Sequence, residues 1–453
     1  MNTPNANEQP SFLKRNAYAI KAIIIGILVL VLLIPTAMIM GLISEREHRQ
    51  NEATAEVSHI WANDQVITGP VLVVPYTTLN EKKEEVINQA FFLPEKLSVN
   101  GQLLPELRHR GIYDVAVYSS RLQLSGSFAP IDPAVLNIPA GSLNWSNAYL
   151  AVGITDMRGI SNQVQVVWNG QPYICNPGTP PGGLLGSGVQ TRIPLSGAAT
   201  DSTGANASFS INLDLKGSGR IYFSPVGKTT QVSLSAAWPS PSFEGAFLPA
   251  QHAENDKGFT ASWQVLHLNR SFPQSWTAGD KYNINNADFG VKLFMPVDGY
   301  AKSMRAVKYA ILIIGLTFLV IYFIELLRHH NVHPLQYILI GVALCIFYTL
   351  LIALAEQLNF NLAYLIATVL TIGLVTAYAA SVFRRAGTTL AVCGTLLTLY
   401  GFMYVIIQSE DQALLMGSLG LFIILAIVMF FSHKIRWDTL GGNITADDKA
   451  VDA

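Results

Sequence analysis

Catalysis by this chain would require a nucleophile, a base or a pair of acids that the fold brings together. The titratable candidates in the central region are scattered along the sequence: His59, Asp64, His109, Asp114, Asp156, His252 and His267. A serine hydrolase of the α/β type would carry a G-x-S-x-G motif between a strand and a helix, and the sequence has no such motif. Because no spacing requires these residues to meet, the sequence predicts no catalytic residues and no enzyme.

Metal binding would need a cluster of ligands, and His329, His330 and His333 form the only histidine cluster. On a helix, His329 and His333 would share one face, as in some zinc sites. However, Pro334 disfavours helix at His333, and no Cys or carboxylate follows closely. A polar turn is the favoured interpretation, and no metal or cofactor is predicted.

Two further motifs have both a functional and a structural interpretation. Gly217-Ser-Gly-Arg220 is glycine-rich, but it lacks the Lys that would contact a phosphate, so a hairpin turn is predicted. A second segment is rich in aromatic residues, on which sugars or peptidoglycan could stack: Trp238, Phe243, Phe247, Phe259 and Trp263. Filling of a hydrophobic core is the favoured interpretation of that segment.

The elements that would carry these residues are set by six apolar stretches. They cover residues 22–43, 306–327, 335–354, 361–383, 388–407 and 413–431. A helix needs about 20 apolar residues to cross the hydrocarbon core of a bilayer. The sequence therefore predicts a membrane protein with six spans, one plus five. The first is an anchor rather than a cleaved signal peptide, because Ser44-Glu45-Arg46-Glu47 follows it instead of a small-residue cleavage site.

Basic residues predict the orientation of the spans. Most lie before the first span or in alternate connectors: Lys14, Arg15, Lys21, Arg328, Arg384, Arg385, Lys434 and Arg436. The opposite connectors, 356–360 and 408–412, contain no Lys or Arg. Basic residues prefer the cytoplasmic side, so both termini are expected in the cytoplasm and the large domain in the periplasm.

Charged residues within the spans are few. Glu325 lies near the inner end of the second span and Glu356 at the outer end of the third, where both are expected to reach the interface. The middles of the six predicted spans contain no Asp, Glu, Lys, Arg or His. Intramembrane ionisable residues usually mark transport pathways, so ion-coupled transport is disfavoured.

The large domain has the alternating pattern of half-buried antiparallel strands. Phe209, Ile211 and Leu213 alternate with polar residues, and residues 232–238 repeat the pattern. A sandwich-like all-β domain is predicted. A short echo between residues 126–130 and 245–249 leaves a two-lobed arrangement as an alternative.

The predicted domain plan has six segments. They are a cytoplasmic N-terminus (1–21), a transmembrane anchor (22–43), a juxtamembrane helix (44–68) that ends at Gly69-Pro70, a periplasmic β domain (69–305), a five-helix transmembrane bundle (306–432) and a cytoplasmic tail (433–453). The net charge is −1 and only 13% of the residues are charged, which does not favour nucleic-acid binding.

Several segments together resemble the CreD family of inner-membrane proteins from Gram-negative bacteria. They are Ile34-Pro35 followed by Glu45-Arg46, GPVLVVPY at 69–76, RGIYDVAVY at 110–118, DMRGI at 156–160, WPSPSFEGAFLP at 238–249 and FGVKLFMPVDGY at 289–300. The resemblance implies control by a two-component system that responds to carbon source and envelope state. It also implies links to colicin tolerance, β-lactam response and envelope integrity. It brings no catalytic or binding residues with it.

The predicted function is that of an inner-membrane envelope-integrity or stress-response protein of the CreD type, without enzymatic activity. Its partners would be the lipid bilayer and an envelope protein, glycan or lipid bound by the periplasmic β domain. Two alternatives remain: a transporter or flippase-like membrane bundle, and a membrane-tethered hydrolase acting on the envelope. The oligomeric state is not predicted.

Overall fold

The computed structural model describes residues 17–79, 82–179, 184–193, 195, 206–280, 282–293, 299–328, 332–409 and 412–433. The chain divides into two compact units. The helical unit comprises Met1–Arg49 and Val297–Ala453, and the β unit comprises Gln50–Pro296.

Seven α-helices are described. They are α1 (Ala17–Trp61), α2 (Gly299–Lys308), α3 (Ala310–Arg328), α4 (Pro334–Ala355), α5 (Phe360–Phe383), α6 (Ala386–Gln408) and α7 (Ala413–His433). Five of the described helices, α1 and α3 to α6, are long and apolar enough to span a membrane. The sixth predicted span falls in α7, where the apolar stretch with described side chains is shorter, Leu415–Phe430, and it stays a prediction.

Helix α1 packs into the helical unit along one stripe of its surface. Ile25, Leu32, Ile39 and Ile43 are buried at spacings of seven and four residues, which place them on the same face. Leu32 lies against Gly341 of α4, where an added Cβ would come within 2.2 Å of Leu32 Cδ1. The absence of a side chain at Gly341 therefore allows α1 and α4 to approach closely.

The end of α1 differs from the prediction. A helix was expected to continue to residue 68 and to end at Gly69-Pro70, but α1 ends at Trp61 and the first strand begins at Gln65. Gly69 and Pro70 lie inside that strand, joined by a cis peptide bond. The β-branched residues Val66, Ile67 and Thr68 favour the extended backbone, and pairing with neighbouring strands stabilises it.

The described part of the β unit contains seventeen strands. They are β1 (Gln65–Leu79), β2 (Glu85–Phe92), β3 (Lys96–Arg110), β4 (Tyr113–Phe128), β5 (Tyr149–Ile154), β6 (Gln165–Trp168), β7 (Gln171–Ile174), β8 (Asn176–Pro177), β9 (Gly188–Arg192), β10 (Ala207–Ser218), β11 (Arg220–Ser224), β12 (Thr229–Ala236), β13 (Pro241–Gly245), β14 (Gln251–Asn255), β15 (Gly258–Leu266), β16 (Ser275–Thr277) and β17 (Phe289–Leu293). The all-β prediction for this part of the chain is confirmed.

The strands form two sheets. The first sheet has the order β13-β17-β11-β1-β5-β9-β8, with β2 on β1 and β16 on β2. The second has the order β14-β15-β12-β3-β4-β10-β6-β7. Most pairs are antiparallel, but β1 pairs with β11 and β3 pairs with β12 in parallel.

The two-lobed alternative does not describe this arrangement. Each sheet contains strands from both halves of the β unit, and the buried side chains of both sheets form one continuous hydrophobic core. The two short echo segments also occupy different positions, because Gly126 lies in β4 of the second sheet and Gly245 in β13 of the first.

The predicted hairpin at Gly217-Ser-Gly-Arg220 is wrong. Strand β10, before it, pairs with β4 and β6 of the second sheet, whereas β11, after it, pairs with β1 and β17 of the first. Gly219 alone separates them and adopts a φ of +65°, a conformation that favours glycine. This glycine therefore redirects the chain from one sheet to the other.

Candidate functional site

The second sheet has one buried and one accessible face along β10, β12 and β15, because buried and accessible residues alternate on these strands. On β10, Phe209, Ile211 and Leu213 point into the core, and Asn212 lies on the outer side. Strand β12 alternates in the same way, with Val232 and Leu234 buried. Directly paired residues of adjacent strands point to the same side of a sheet, so the outward residues form rows.

Three such rows cross the outer side, and together they are called the polar face. The first row consists of Gln251, Ser262, Ser233, Asn100, Gln123, Asn212 and Gln165. The second consists of Ala253, Thr260, Ser235, Gln102, Arg121 and Asp214. The third consists of Gln264, Gln231, Ser98, Ser125, Ser210 and Val167.

A groove with a volume of about 1010 Å³ lies on the polar face. Residues of β3, β4, β10, β12, β14 and β15 line it, so it crosses six strands of one sheet. Among its lining residues, only Arg121 and Asp214 carry full charges, and they occupy directly opposite backbone positions on β4 and β10. Asp214 also accepts a hydrogen bond of 2.6 Å from Asn162 Nδ2. The groove is therefore polar but almost uncharged.

Four side-chain amides of the groove have no hydrogen-bond partner in the part of the chain that the structure describes. Among the described residues, the amides of Asn100, Gln102, Gln123 and Asn212 make no hydrogen bond to another protein group. Asn is disfavoured in strands, and an ordinary solvated surface carries about one-quarter to one-third charged residues. This combination distinguishes the polar face from a merely solvated sheet and leaves its donors and acceptors available to a ligand.

The candidate catalytic residues form separate contacts instead of one cleft. His109 pairs with Asp114 where β3 meets β4, and Asp64 pairs with Arg220 at 2.6 Å. His252 lies 3.9 Å from Glu254 and against the ring of Phe243. Described contacts thus distribute these residues among unrelated partners.

Asp156, another of those candidates, fastens the end of α1. Its carboxylate accepts hydrogen bonds from the backbone N of Asn63 at 2.9 Å and from the guanidinium of Arg158. The guanidinium of Arg158 also donates to the backbone carbonyl of His59. The hydrogen bonds from Arg158 hold the pKa of Asp156 well below its usual range. A structural role accounts for this carboxylate.

The aromatic segment fills the core, as its favoured interpretation predicted. Phe259 and Trp263 are buried, and Phe243 packs edge-on against both rings. Phe247 is half-buried and packs edge-on against Phe289 of β17. Stacking of a sugar on Phe259 or Trp263 would require the core to open.

Glu325, which was expected to reach the membrane interface, has its side chain packed inside the helical unit. Its side chain is buried, forms an ion pair with Lys21 of α1, and accepts a hydrogen bond of 3.1 Å from Tyr337 Oη of α4. The pairing with Lys21 replaces solvation by water, because an isolated buried carboxylate would be very unfavourable.

Glu356 makes the corresponding contact at the other end of the helical unit. It accepts a hydrogen bond of 3.0 Å from Tyr300 Oη, and Arg46 Nε lies 3.7 Å away. Lys21 and Arg46 are 25 residues apart, about 37 Å along a helix, slightly more than a hydrocarbon core. Both charged contacts therefore fall near the ends of a span and attach α1 to the later helices.

His333 serves as the N-cap of α4. Its Nδ1 accepts a hydrogen bond of 3.2 Å from the backbone N of Leu335, and Pro334 is the first helical residue. His329 and His330 lie outside the described residues. Within the described chain, no three His, Cys, Asp or Glu side chains are grouped so that they could hold a metal ion.

Spans at both ends of the sequence with a two-sheet β unit between them define an integral membrane protein with a large extramembrane domain. The family model described as "Inner membrane protein CreD" matches residues 17–438. The protein named Inner membrane protein CreD of Escherichia coli (strain K12) is 32% identical over 419 residues, 90% of this chain and 91% of that protein. The chain belongs to the CreD family of inner membrane proteins, and the resemblance found in the sequence is confirmed.

Proposed function

We propose that this CreD-family protein is a non-enzymatic envelope-integrity factor that binds a component of the bacterial envelope through its polar face. The observation that carries this proposal is the nearly uncharged groove, whose amide groups have no partner among the described residues. The membrane helices contact the lipid bilayer and would tether the β unit to the membrane.

The proposal includes the orientation derived from the sequence. The N- and C-termini would be cytoplasmic and the β unit periplasmic, and the segment boundaries at 21, 43 and 432 remain part of the proposal. Of the basic residues behind this orientation, Lys21, Arg328, Arg384 and Arg385 belong to the described chain. Alkaline phosphatase fused after Asn176 should be active, and the same enzyme fused after Arg385 should be inactive. The reverse result would overturn the orientation.

Crosslinking in intact cells tests the binding function. A photo-reactive residue at position 123 lies in the groove, and one at position 171 replaces another exposed glutamine of the same sheet outside the three rows. An adduct with an envelope component is expected from position 123 and not from position 171. The same adducts from both positions, or none from either, would contradict the proposal.

Transport is the second candidate, and one observation favours it. Glu325 and Lys21 are ionisable groups inside the helical unit, and such groups often take part in ion or substrate pathways. The contact also joins two helices separated by 304 residues in sequence, which supports a structural role.

Exchanging the charges of Lys21 and Glu325 distinguishes a structural role of the pair from a role in transport. If the pair is structural, Lys21→Glu and Glu325→Lys should each reduce the amount of folded protein in membranes, and the double exchange should restore it. If the pair carries a proton or an ion during transport, a different result is expected. The double-exchange variant would then reach normal abundance in the membrane but would fail to complement the phenotype. The assay is membrane abundance together with complementation of an envelope-sensitivity phenotype.

A further inference from the structure

We propose that the ligand of the polar face is a glycan strand of uncharged, N-acetylated sugars. This inference rests on the proposed function and specifies the chemical class of the bound component. It concerns the groove that crosses β3, β4, β10, β12, β14 and β15.

The charges of the residues that line the groove exclude highly charged ligands. A polyanion such as a phosphate-rich polymer would require several Lys or Arg side chains in the groove, and the lining contains one, Arg121. A polycation would require several carboxylates, and the lining contains one, Asp214. Arg121 and Asp214 lie opposite each other on neighbouring strands, and their charges have opposite sign. The lining therefore has no net charge, and an electrically neutral ligand fits the groove best.

The hydrogen-bonding groups of the groove favour sugars among the neutral ligands. An Asn or Gln amide offers two N–H donors and a carbonyl acceptor, and a Ser hydroxyl both donates and accepts. Sugar hydroxyls have the same dual character, and an acetamido group presents one donor and one acceptor to a facing amide. Asn100, Gln123 and Asn212 occupy three successive positions in one row, so neighbouring sugar units would meet equivalent groups.

The length of the site favours a polymer over a small molecule. Adjacent strands are about 4.8 Å apart, so the six strands that line the groove extend over roughly 24 Å. A second cavity of about 380 Å³ shares Gln102, Ser235, Ala253 and Thr260 with the groove and continues beside it. Compact ligands usually occupy enclosed pockets of about 300–1,000 Å³, whereas this site is a long open groove.

An extended peptide fits this surface less well. Peptides that bind sheets usually add to an exposed edge, where backbone groups are unpaired. The central groove strands β12, β3 and β4 are paired with strands on both sides, so their backbone groups are already used. A bound peptide would also need pockets for apolar side chains, and the polar rows contain only Ala253 and Val167 as apolar members.

The groove is suited to binding without cleavage. Hydrolysis of a glycosidic bond normally requires two carboxyl groups about 5 to 9.5 Å apart. Among the residues that line the groove, Asp214 is the only carboxylate, and it already accepts a hydrogen bond from Asn162. Among the described residues that line the groove there is no Phe, Tyr or Trp, so affinity would come mainly from many individual hydrogen bonds along the strand.

The test uses the full-length protein in detergent and a defined probe, the linear tetrasaccharide of N-acetylglucosamine. Binding is measured by calorimetry, with maltotetraose and the tetrasaccharide of unacetylated glucosamine as comparison sugars. We expect the N-acetylated sugar to bind at least tenfold more tightly than either comparison sugar. Equal binding of all three would overturn the assignment of N-acetylated sugars.

Variants connect the binding to the groove. The double variant Gln123→Ala and Asn212→Ala should weaken binding of the N-acetylated tetrasaccharide about tenfold or more, because two amide partners are lost. Gln171→Ala is the matched control and should bind as the wild type does. Asn212→Asp keeps the shape of the side chain and removes its donor, and it should also weaken binding. Unchanged binding in all groove variants with wild-type melting temperature would overturn the proposal.

The outcome for the ligand and the outcome for the proposed function can be told apart. Absence of sugar binding, combined with a specific protein adduct from position 123, would reject the glycan and retain binding of an envelope component. Absence of sugar binding together with no adduct from position 123 would reject both. Binding that the double variant abolishes, together with a glycan adduct, would support both.

Discussion

The two sheets of the β unit treat their outer faces differently. In the first sheet, eight consecutive residues of β1, from Ile67 to Val74, are buried, and so are five consecutive residues of β5, from Leu150 to Ile154. In the second sheet, buried and accessible residues alternate along β10 and β12. The two central strands β1 and β5 of the first sheet are therefore covered on both sides, whereas β10 and β12 of the second sheet leave one side accessible.

The two sheets also differ in whether their polar side chains are hydrogen-bonded within the protein. In the first sheet, Thr68 and Ser224 are hydrogen-bonded at 2.7 Å, and Ser224 donates to Asp288 at 2.6 Å. Gln65, also buried, donates to the backbone carbonyls of Asp156 and Lys216, each at 2.9 Å. Buried polar groups must be paired within the protein, whereas exposed amides of the polar face remain available. This difference supports the proposal that the first sheet mainly stabilises the fold and that the second sheet provides the binding surface.

The largest expected difference concerns the centre of each sheet. Leu72→Ala, in a fully buried position of β1, should lower the free energy of unfolding by about 3 kcal/mol, because it leaves a cavity. Asn100→Ala, at the centre of the polar face, should change it by less than about 0.5 kcal/mol. Chemical unfolding of the full-length protein, followed by tryptophan fluorescence, measures both. Similar losses in the two variants would remove the distinction between the sheets.

An intermediate effect is expected at Asp156, which follows β5 of the first sheet. Asp156→Ala removes hydrogen bonds to a charged group and should destabilise the protein by about 2 kcal/mol at pH 7. Because its pKa is depressed in the folded state, the stabilisation is present above about pH 4 and is lost as the pH falls further. The wild type and Asp156→Ala should therefore converge in stability on acidification. Asp214→Ala on the polar face is the control, with an expected change below about 0.5 kcal/mol.

The smallest expected effect concerns Asp288, and it has the opposite sign. Burial raises the pKa of Asp288 to about 6, so the folded protein holds a proton that the unfolded chain releases near pH 4. Stability should therefore fall as the pH rises from about 4 to 6. Asp288→Asn removes this dependence and should be more stable than the wild type at pH 7.5, by about 1 kcal/mol after allowance for the partial exposure. The measurement is the free energy of unfolding of the wild type minus that of Asp288→Asn at each pH. If this difference rose between pH 4 and 6, it would contradict the burial of this carboxyl group.

Much of the fold was accessible from local patterns. The apolar runs predicted the spans from length alone, and the alternation at residues 209–215 and 232–236 predicted strands that face a core on one side. The polar members of the same strands were visible as well, but only as the solvated half of an alternating pattern. A deficit of charge at outward positions is the signal that could have identified the polar face, and it becomes meaningful only when the strand order is known.

Contacts between segments that are far apart in the sequence could not be predicted from local patterns. The pairing of β1 with β11 joins Gln65 to Ile221, and the ion pair of Lys21 with Glu325 joins the first and third helices. Nothing in the local composition of either segment specifies its partner. The corner at Gly219 was predicted as a hairpin for the same reason, because a glycine between two strands does not reveal which sheet each strand enters.

The sequence by itself therefore determined which segments are apolar enough to enter the membrane and which sides of the strands face a core, because hydrophobicity and its periodicity are local properties of the chain. Tertiary structure decided that seven strands align Gln251, Ser262, Ser233, Asn100, Gln123, Asn212 and Gln165 in one row. That row depends on strand order and register, which are set by packing between residues far apart in sequence.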